Sequence, residues 1–140
     1  MDLRIPRTDL LTITRLIEAA IGINSQLMPH KDPLMSVSQR ACQIWAVLAW
    51  AAKHRQSITY PELAQLIGVP TVALGQLLEP IHSYCSLKNL PYLTILVVQR
   101  DTGYPGLGFT GVLVEKYAEE TAKVFLFDWL KYGNPGAKEF

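Results

Sequence analysis

Charge is scarce in this chain, and the scarcity narrows what it can hold. Only 18% of its 140 residues are Asp, Glu, Lys or Arg, and the balance of signs leaves a formal net charge of +1. So small an excess gives little long-range attraction for nucleic acid or an anionic membrane, whereas an autonomous DNA-binding domain is usually strongly basic. Cysteine is nearly missing. Cys42 and Cys85 are too few for a disulfide framework, and each sits in an apolar helical stretch where a thiol serves as a small buried hydrophobe. His30, His54 and His82 are scattered, with no pair four apart and no Cys-x-x-Cys, so no metal site is expected. No apolar run reaches the ~18 residues of a membrane span. Met1 to Arg7 carry mixed charges without the apolar core of a signal peptide, which makes a reducing cytoplasm the expected location. A Gly-rich loop between a strand and a helix is also lacking, so no nucleotide or other cofactor is expected.

What is present is a generous core. Hydrophobic residues make up 49% of the sequence, enough for one domain of ordinary size. The most informative stretch is Ile58 to Phe109. Thr59-Tyr60-Pro61-Glu62 opens like a capping box with a proline in the first turn. Leu63, Leu66 and Ile67 supply an apolar face, and Gly68 ends the helix. After Val69-Pro70, Leu74, Leu77, Leu78 and Ile81 recur at helical spacing. Leu93 to Val98 reads as a buried strand, and Asp101-Thr102-Gly103-Tyr104-Pro105-Gly106 as a turn. Helix, tight turn, helix, strand and Gly/Pro loop is the order of a winged helix-turn-helix. The expected fold is therefore mainly α with a small β-hairpin.

The remaining segments extend this unit. Thr8 or Asp9 can cap a helix from about Leu10 to Ile23, so residues 1–35 form an N-terminal helical extension. Residues 36–112 form the winged helix. They begin with a helix from Ser36 or Ser38 to about His54 that is apolar nearly all round and so expected to be buried. Residues 113–140 add a C-terminal helix from about Leu113 to Tyr132 packed on the same domain. Val114, Tyr117, Ala118, Thr121, Val124, Phe125 and Trp129 face inward in this reading, and Glu119 pairs with Lys123. Asn134-Pro135-Gly136 should fray.

Three stretches resemble the C-terminal domain of alkylguanine DNA alkyltransferases and the alkyltransferase-like proteins. Ile58-Thr59-Tyr60-Pro61-Glu62-Leu63-Ala64 resembles that family's Val-Ser-Tyr-Gly-Asp-Leu-Ala opening. Asn89-Leu90-Pro91, with the apolar run after it, resembles the Asn-Pro-Leu-Pro lead into the family's active-site strand, and Asp101 to Phe109 takes the place of its Gly-rich wing. The family's Pro-Cys-His-Arg signature would fall near Ile95-Leu96-Val97-Val98, so the acceptor thiol and its activating histidine are missing. Without them there is no alkyl transfer. The helix after the turn also lacks the family's base-replacing arginine. The resemblance thus implies a winged helix with a non-catalytic binding role.

In a DNA reader the second helix of the pair enters the major groove by its N-terminal residues. Thr71, Ala73, Gly75, Gln76 and Glu79 face outward in this reading, with Gln76 placed to address adenine and Thr71 a phosphate or thymine methyl. Positive charge must come from Arg40, Lys53, Arg55, Lys88 and Arg100, and Tyr104 adds a ring at the wing. His82 and Cys85 lie three apart on one helical stretch, too little to make a catalytic dyad. The expectation is a non-enzymatic DNA-binding regulator of bacterial or phage type that binds as a homodimer. The alternative is a winged helix used as a protein-interaction module, such as an inhibitor, immunity or assembly protein. The low charge and the tyrosines at 84, 92 and 104 suit that reading. One basic stripe joining Lys53, Arg55, Lys88 and Arg100 would favour DNA; an apolar patch on that face would favour a protein.

Overall fold

Ser36 starts the first described helix. Its hydroxyl accepts the Gln39 N–H at 3.1 Å, while Gln39 Oε1 accepts the Ser36 N–H at 2.8 Å, a complete capping box. The computed structural model describes residues 35–140 apart from Leu107, and the chain divides between Met35 and Ser36. The expected N-terminal helix lies outside the described residues. Helix α1, Val37–Lys53, buries Ala41, Ile44, Trp45, Leu48 and Ala52. It is not buried all round. Ala46 is exposed and Trp50 is 57% exposed, with the His54 ring stacked on it at 4.1 Å.

Strand β1, Ile58–Thr59, runs directly into helix α2, Tyr60–Ile67. Thr59 Oγ1 accepts the Glu62 N–H at 3.3 Å, and Pro61 sits in the first turn, where its missing N–H is not needed. Leu63, Ala64 and Ile67 are buried, but Leu66, expected on the apolar face, is exposed. Gly68 takes φ 74° and closes the helix through its N–H to the Ala64 carbonyl. A 3-10 turn, Thr71–Ala73, leads into helix α3, Leu74–Leu87, which buries Leu74, Leu77, Leu78, Ile81, Tyr84 and Cys85. Pro80 lies inside α3, so the Gln76 carbonyl receives no bond from that position. Asn89 at φ 54° ends this segment.

Leu93 to Val98 does not form one strand. Leu93–Leu96 is a 3-10 turn with all four side chains buried, and only Val97–Val98 is extended, as strand β2. A strand would send alternate side chains to opposite faces. Here the turn is packed among α1, α3 and the later helix α4, Tyr117–Leu126, so burial is required in every direction. Strand β2 pairs with β1 in parallel, Ile58 opposite Val97 and Thr59 opposite Val98. The expected hairpin shrinks to one antiparallel bridge, Val98 to Pro105, around a turn in which the Gln99 N–H donates to the Tyr104 carbonyl at 2.8 Å.

The C-terminal segment is also broken where one helix was expected. Val114–Lys116 is a 3-10 turn, α4 follows, and Trp129–Tyr132 forms a short helix α5. Phe127 is extended and Asp128 Oδ1 caps α5 by accepting the Lys131 N–H at 3.1 Å. The break lets Trp129 turn inward, where its indole N–H donates to the Val124 carbonyl at 2.8 Å. Val114 and Ala118 face solvent rather than the core. Glu119 pairs with Lys116 at 3.3 Å and Lys123 with Glu120 at 2.8 Å, instead of with each other. Exposed pairs of this kind add little stability. The tail lies against α1: Cys42 Sγ donates to the Pro135 carbonyl at 3.6 Å, and Ser38 Oγ donates to the Phe140 carbonyl at 3.0 Å. The described unit is thus mainly helical, with a small two-stranded parallel sheet, and no helix in it is long and apolar enough to cross a membrane.

Candidate functional site

The start of α3 faces outward as its spacing requires. Thr71, Gly75, Gln76 and Glu79 are exposed, and Val72 beside them is 93% exposed. Ala73 departs from the expectation: it is half-buried and packs against the core, because the 3-10 turn rotates it inward. The turn after β2 presents Arg100 and Tyr104, the latter 54% exposed. Arg100 makes no ion pair among the described residues, with neighbouring Asp101 or any other carboxylate.

The five basic residues do not form one stripe. Arg40 is occupied, its guanidinium donating to the Ile67 carbonyl and to Gln43 Oε1, which ties α1 to the end of α2. Lys88 lies over the Tyr84 ring at 5.8 Å and borders a shallow recess with Tyr132 and Glu139. Lys53 and Arg55 line a recess of about 340 Å³ beside Leu126 and Leu130. Arg55 also shares a recess of about 510 Å³ with Tyr104 and Tyr117, which brings it to the turn after β2. Arg55 holds a left-handed backbone at φ 54°, donating its N–H to the Ala52 carbonyl while Gln56 donates to Ala51. A non-glycine residue there costs roughly 1–2 kcal/mol. Of the tyrosines expected at the surface, Tyr84 is buried and bonded to the Tyr132 hydroxyl at 2.6 Å, and Tyr92 is half-buried.

Between α3 and the segment carrying Gly106 and Phe109 lies a cleft of about 690 Å³. Tyr60 from the first turn of α2 and Thr94 from the buried 3-10 turn complete its walls. His82 is the centre of this wall. It stacks on Tyr92 at 4.4 Å with planes 12° apart, meets Phe109 edge-on at 5.2 Å, and its Nδ1 is hydrogen-bonded to Thr94 Oγ1 at 3.2 Å. A Cβ on Gly106 would fall 2.5 Å from Tyr60 Oη, so only glycine lets the segment approach that ring. Tyr60, Glu79, Thr94 and Phe109 were not singled out as a site from sequence. The one local signal was Gly75, a poor helix former within a helical pattern.

The electrostatics disfavour a Cys–His dyad. Burial pushes the Cys85 thiol up to about 11, with the Leu93 backbone pulling weakly the other way, and the His82 nitrogen that has a partner bonds to Thr94. Burial lowers the His82 pKa, with Glu79 opposing, and burial raises that of Tyr60, with the Gly106 backbone opposing. The sign for His82 follows from linkage. The unfolded chain takes up a proton near pH 6.5, which the folded imidazole resists. Stability from this group is therefore present above that pH and declines as pH falls below it. Urea midpoints measured at about pH 7.5 and about 5.5 should differ less in His82→Gln than in the parent chain. An equal difference would remove His82 as the source.

Among the described residues no three His, Cys, Asp or Glu side chains gather as a metal site. No protein-family model matches the chain, and no curated protein or solved structure matches it either.

Proposed function

We propose that the chain is a winged-helix protein that binds double-stranded DNA without chemistry, acting as a regulator. The observation that supports this reading is that both elements it needs are exposed. The start of α3 offers Thr71 and Gln76, and the turn after β2 offers Arg100 and Tyr104 with Arg55 beside it. The first would meet base edges, the second the phosphates. A catalytic role in alkyl transfer has no support, since Ile95 to Val98 are all apolar and buried where a reactive thiol would be needed. Lys53 belongs with Arg55 in this reading, whereas Arg40 and Lys88 drop out.

Fluorescence anisotropy with random and mixed-sequence duplexes tests the proposal. Arg100→Ala and Arg55→Ala should each weaken every duplex alike and reduce the salt slope by about one. Gln76→Ala should alter the ranking of sequences instead. Absence of binding at low salt would overturn the reading.

A second reading, a protein-interaction module, is favoured by one observation. Exposed Leu126 and Leu130 line the same recess as Lys53 and Arg55, apolar surface where a basic stripe was sought, and exposed Trp50 lies one turn before Lys53 on α1. Light scattering with and without duplex separates the two: a larger species that forms without DNA and is lost in Trp50→Ala supports the second.

A further inference from the structure

We propose that the cleft between α3 and the segment bearing Gly106 and Phe109 binds a small planar cation, an aromatic ring carrying an amidinium or guanidinium group. This goes beyond the DNA-binding reading and does not depend on it.

Size comes first. The cleft measures about 690 Å³, within the usual range for sites that enclose small molecules. Three rings line it, Tyr60, Phe109 and His82, together with Leu78 and the hydroxyl-bearing Ser83, Thr94 and Thr110. His82 is held on three sides by Tyr92, Phe109 and Thr94, so the wall is formed before any ligand arrives. Rings held in place in advance suit a planar guest that can lie against them.

Charge selects the sign. Glu79 supplies the carboxylate at the cleft, and among the described residues no Lys or Arg lines it. A carboxylate binds an amidinium through two parallel charge-assisted hydrogen bonds, while the aromatic faces add attraction for a cation. An anion finds neither.

Two glycines point the same way. Gly75 lies in α3 and Gly108 beyond Gly106, and a Cβ at either would meet nothing within 4 Å. Neither has the left-handed backbone that would demand glycine, and no neighbour forbids a side chain. Gly75 also weakens a helix that alanine would strengthen. What both omit is bulk at the edge of the cleft, and the effect is to keep it open.

The test is a calorimetric titration of the full chain with benzamidine, with benzoate and cyclohexylamine as controls and no DNA present. Benzamidine should bind saturably, and benzoate about tenfold more weakly or not at all. Cyclohexylamine, cationic but not planar, should also be weaker. Glu79→Gln should lower benzamidine affinity about tenfold or more. Gly75→Leu should abolish binding while leaving the thermal midpoint unchanged or higher, because leucine favours the helix and its Cβ would meet nothing within 4 Å. That variant separates a filled cleft from a misfolded chain. Benzoate binding as well as benzamidine, unchanged affinity in Gly75→Leu, or no saturable binding would each overturn the proposal. Anisotropy with duplex on the parent chain reports the DNA reading separately, so either can fail alone.

Discussion

Replacing Trp45 by alanine should destabilise the unit by about 3–5 kcal/mol, a large share of the total that holds a small domain folded. The indole is fully buried and has four aromatic neighbours. Tyr84 and Trp129 meet it edge-on at 5.5 Å, Tyr132 lies at 6.1 Å and Phe140 at 6.0 Å. These rings come from α3, α5 and the tail, so one truncation loosens three of the elements that lean on α1. Urea denaturation followed by circular dichroism measures the loss. Trp45→Phe should cost much less than Trp45→Ala, because the Trp45 indole N–H is buried without a hydrogen-bond partner among the described residues. Removing that donor offsets part of the lost packing. A cost below about 1 kcal/mol for the alanine variant would mean the ring cluster is not the centre of the core.

Gly106→Ala should cost about 1–3 kcal/mol, the range for forcing extra volume into a packed site. The added carbon would lie 2.5 Å from Tyr60 Oη and 3.0 Å from its Cζ, so the half-buried ring must move. Because Tyr60 occupies the first helical position of α2, its displacement also disturbs that helix start. A double-mutant cycle with Tyr60→Phe isolates the cause. Losing the hydroxyl removes the closest clash, so the Gly106→Ala penalty should shrink in that background. Equal penalties in both backgrounds would place the strain elsewhere.

The parts of the fold legible in sequence are those specified by neighbours in the chain. Ser36 (offered beside Ser38), Thr59 with Pro61, and Gly68 after Ile67 mark helix ends by local chemistry, and each marks an end in the structure. Leu93 to Leu96 was misread because apolar, β-branched composition is the same for a buried strand and a buried 3-10 turn. Only the surrounding helices decide between them. The break at Phe127 had a local signal in Asp128, a good cap, but the apolar spacing runs through it to Trp129 unchanged. Val114 and Ala118 were placed inward by the same uninterrupted spacing. The cleft was beyond reach for another reason. His82, Tyr92 and Phe109 come from three segments, and nothing within any one of them announces the stack. Of the residues proposed to meet DNA, the exposure of Thr71 and Gln76 was legible from helical phase alone, whereas the dispersal of Arg40 and Lys88 depended on tertiary neighbours.

The smallest element has a mechanical consequence. Strand β1 passes straight into α2, and β2 passes straight into the turn that carries Arg100 and Tyr104. Their two-residue pairing fastens the base of the loop to the start of the helix. Val98 at the base of the loop lies opposite Thr59, the very residue that caps α2, so losing that one pairing would free the loop and the helix start at once.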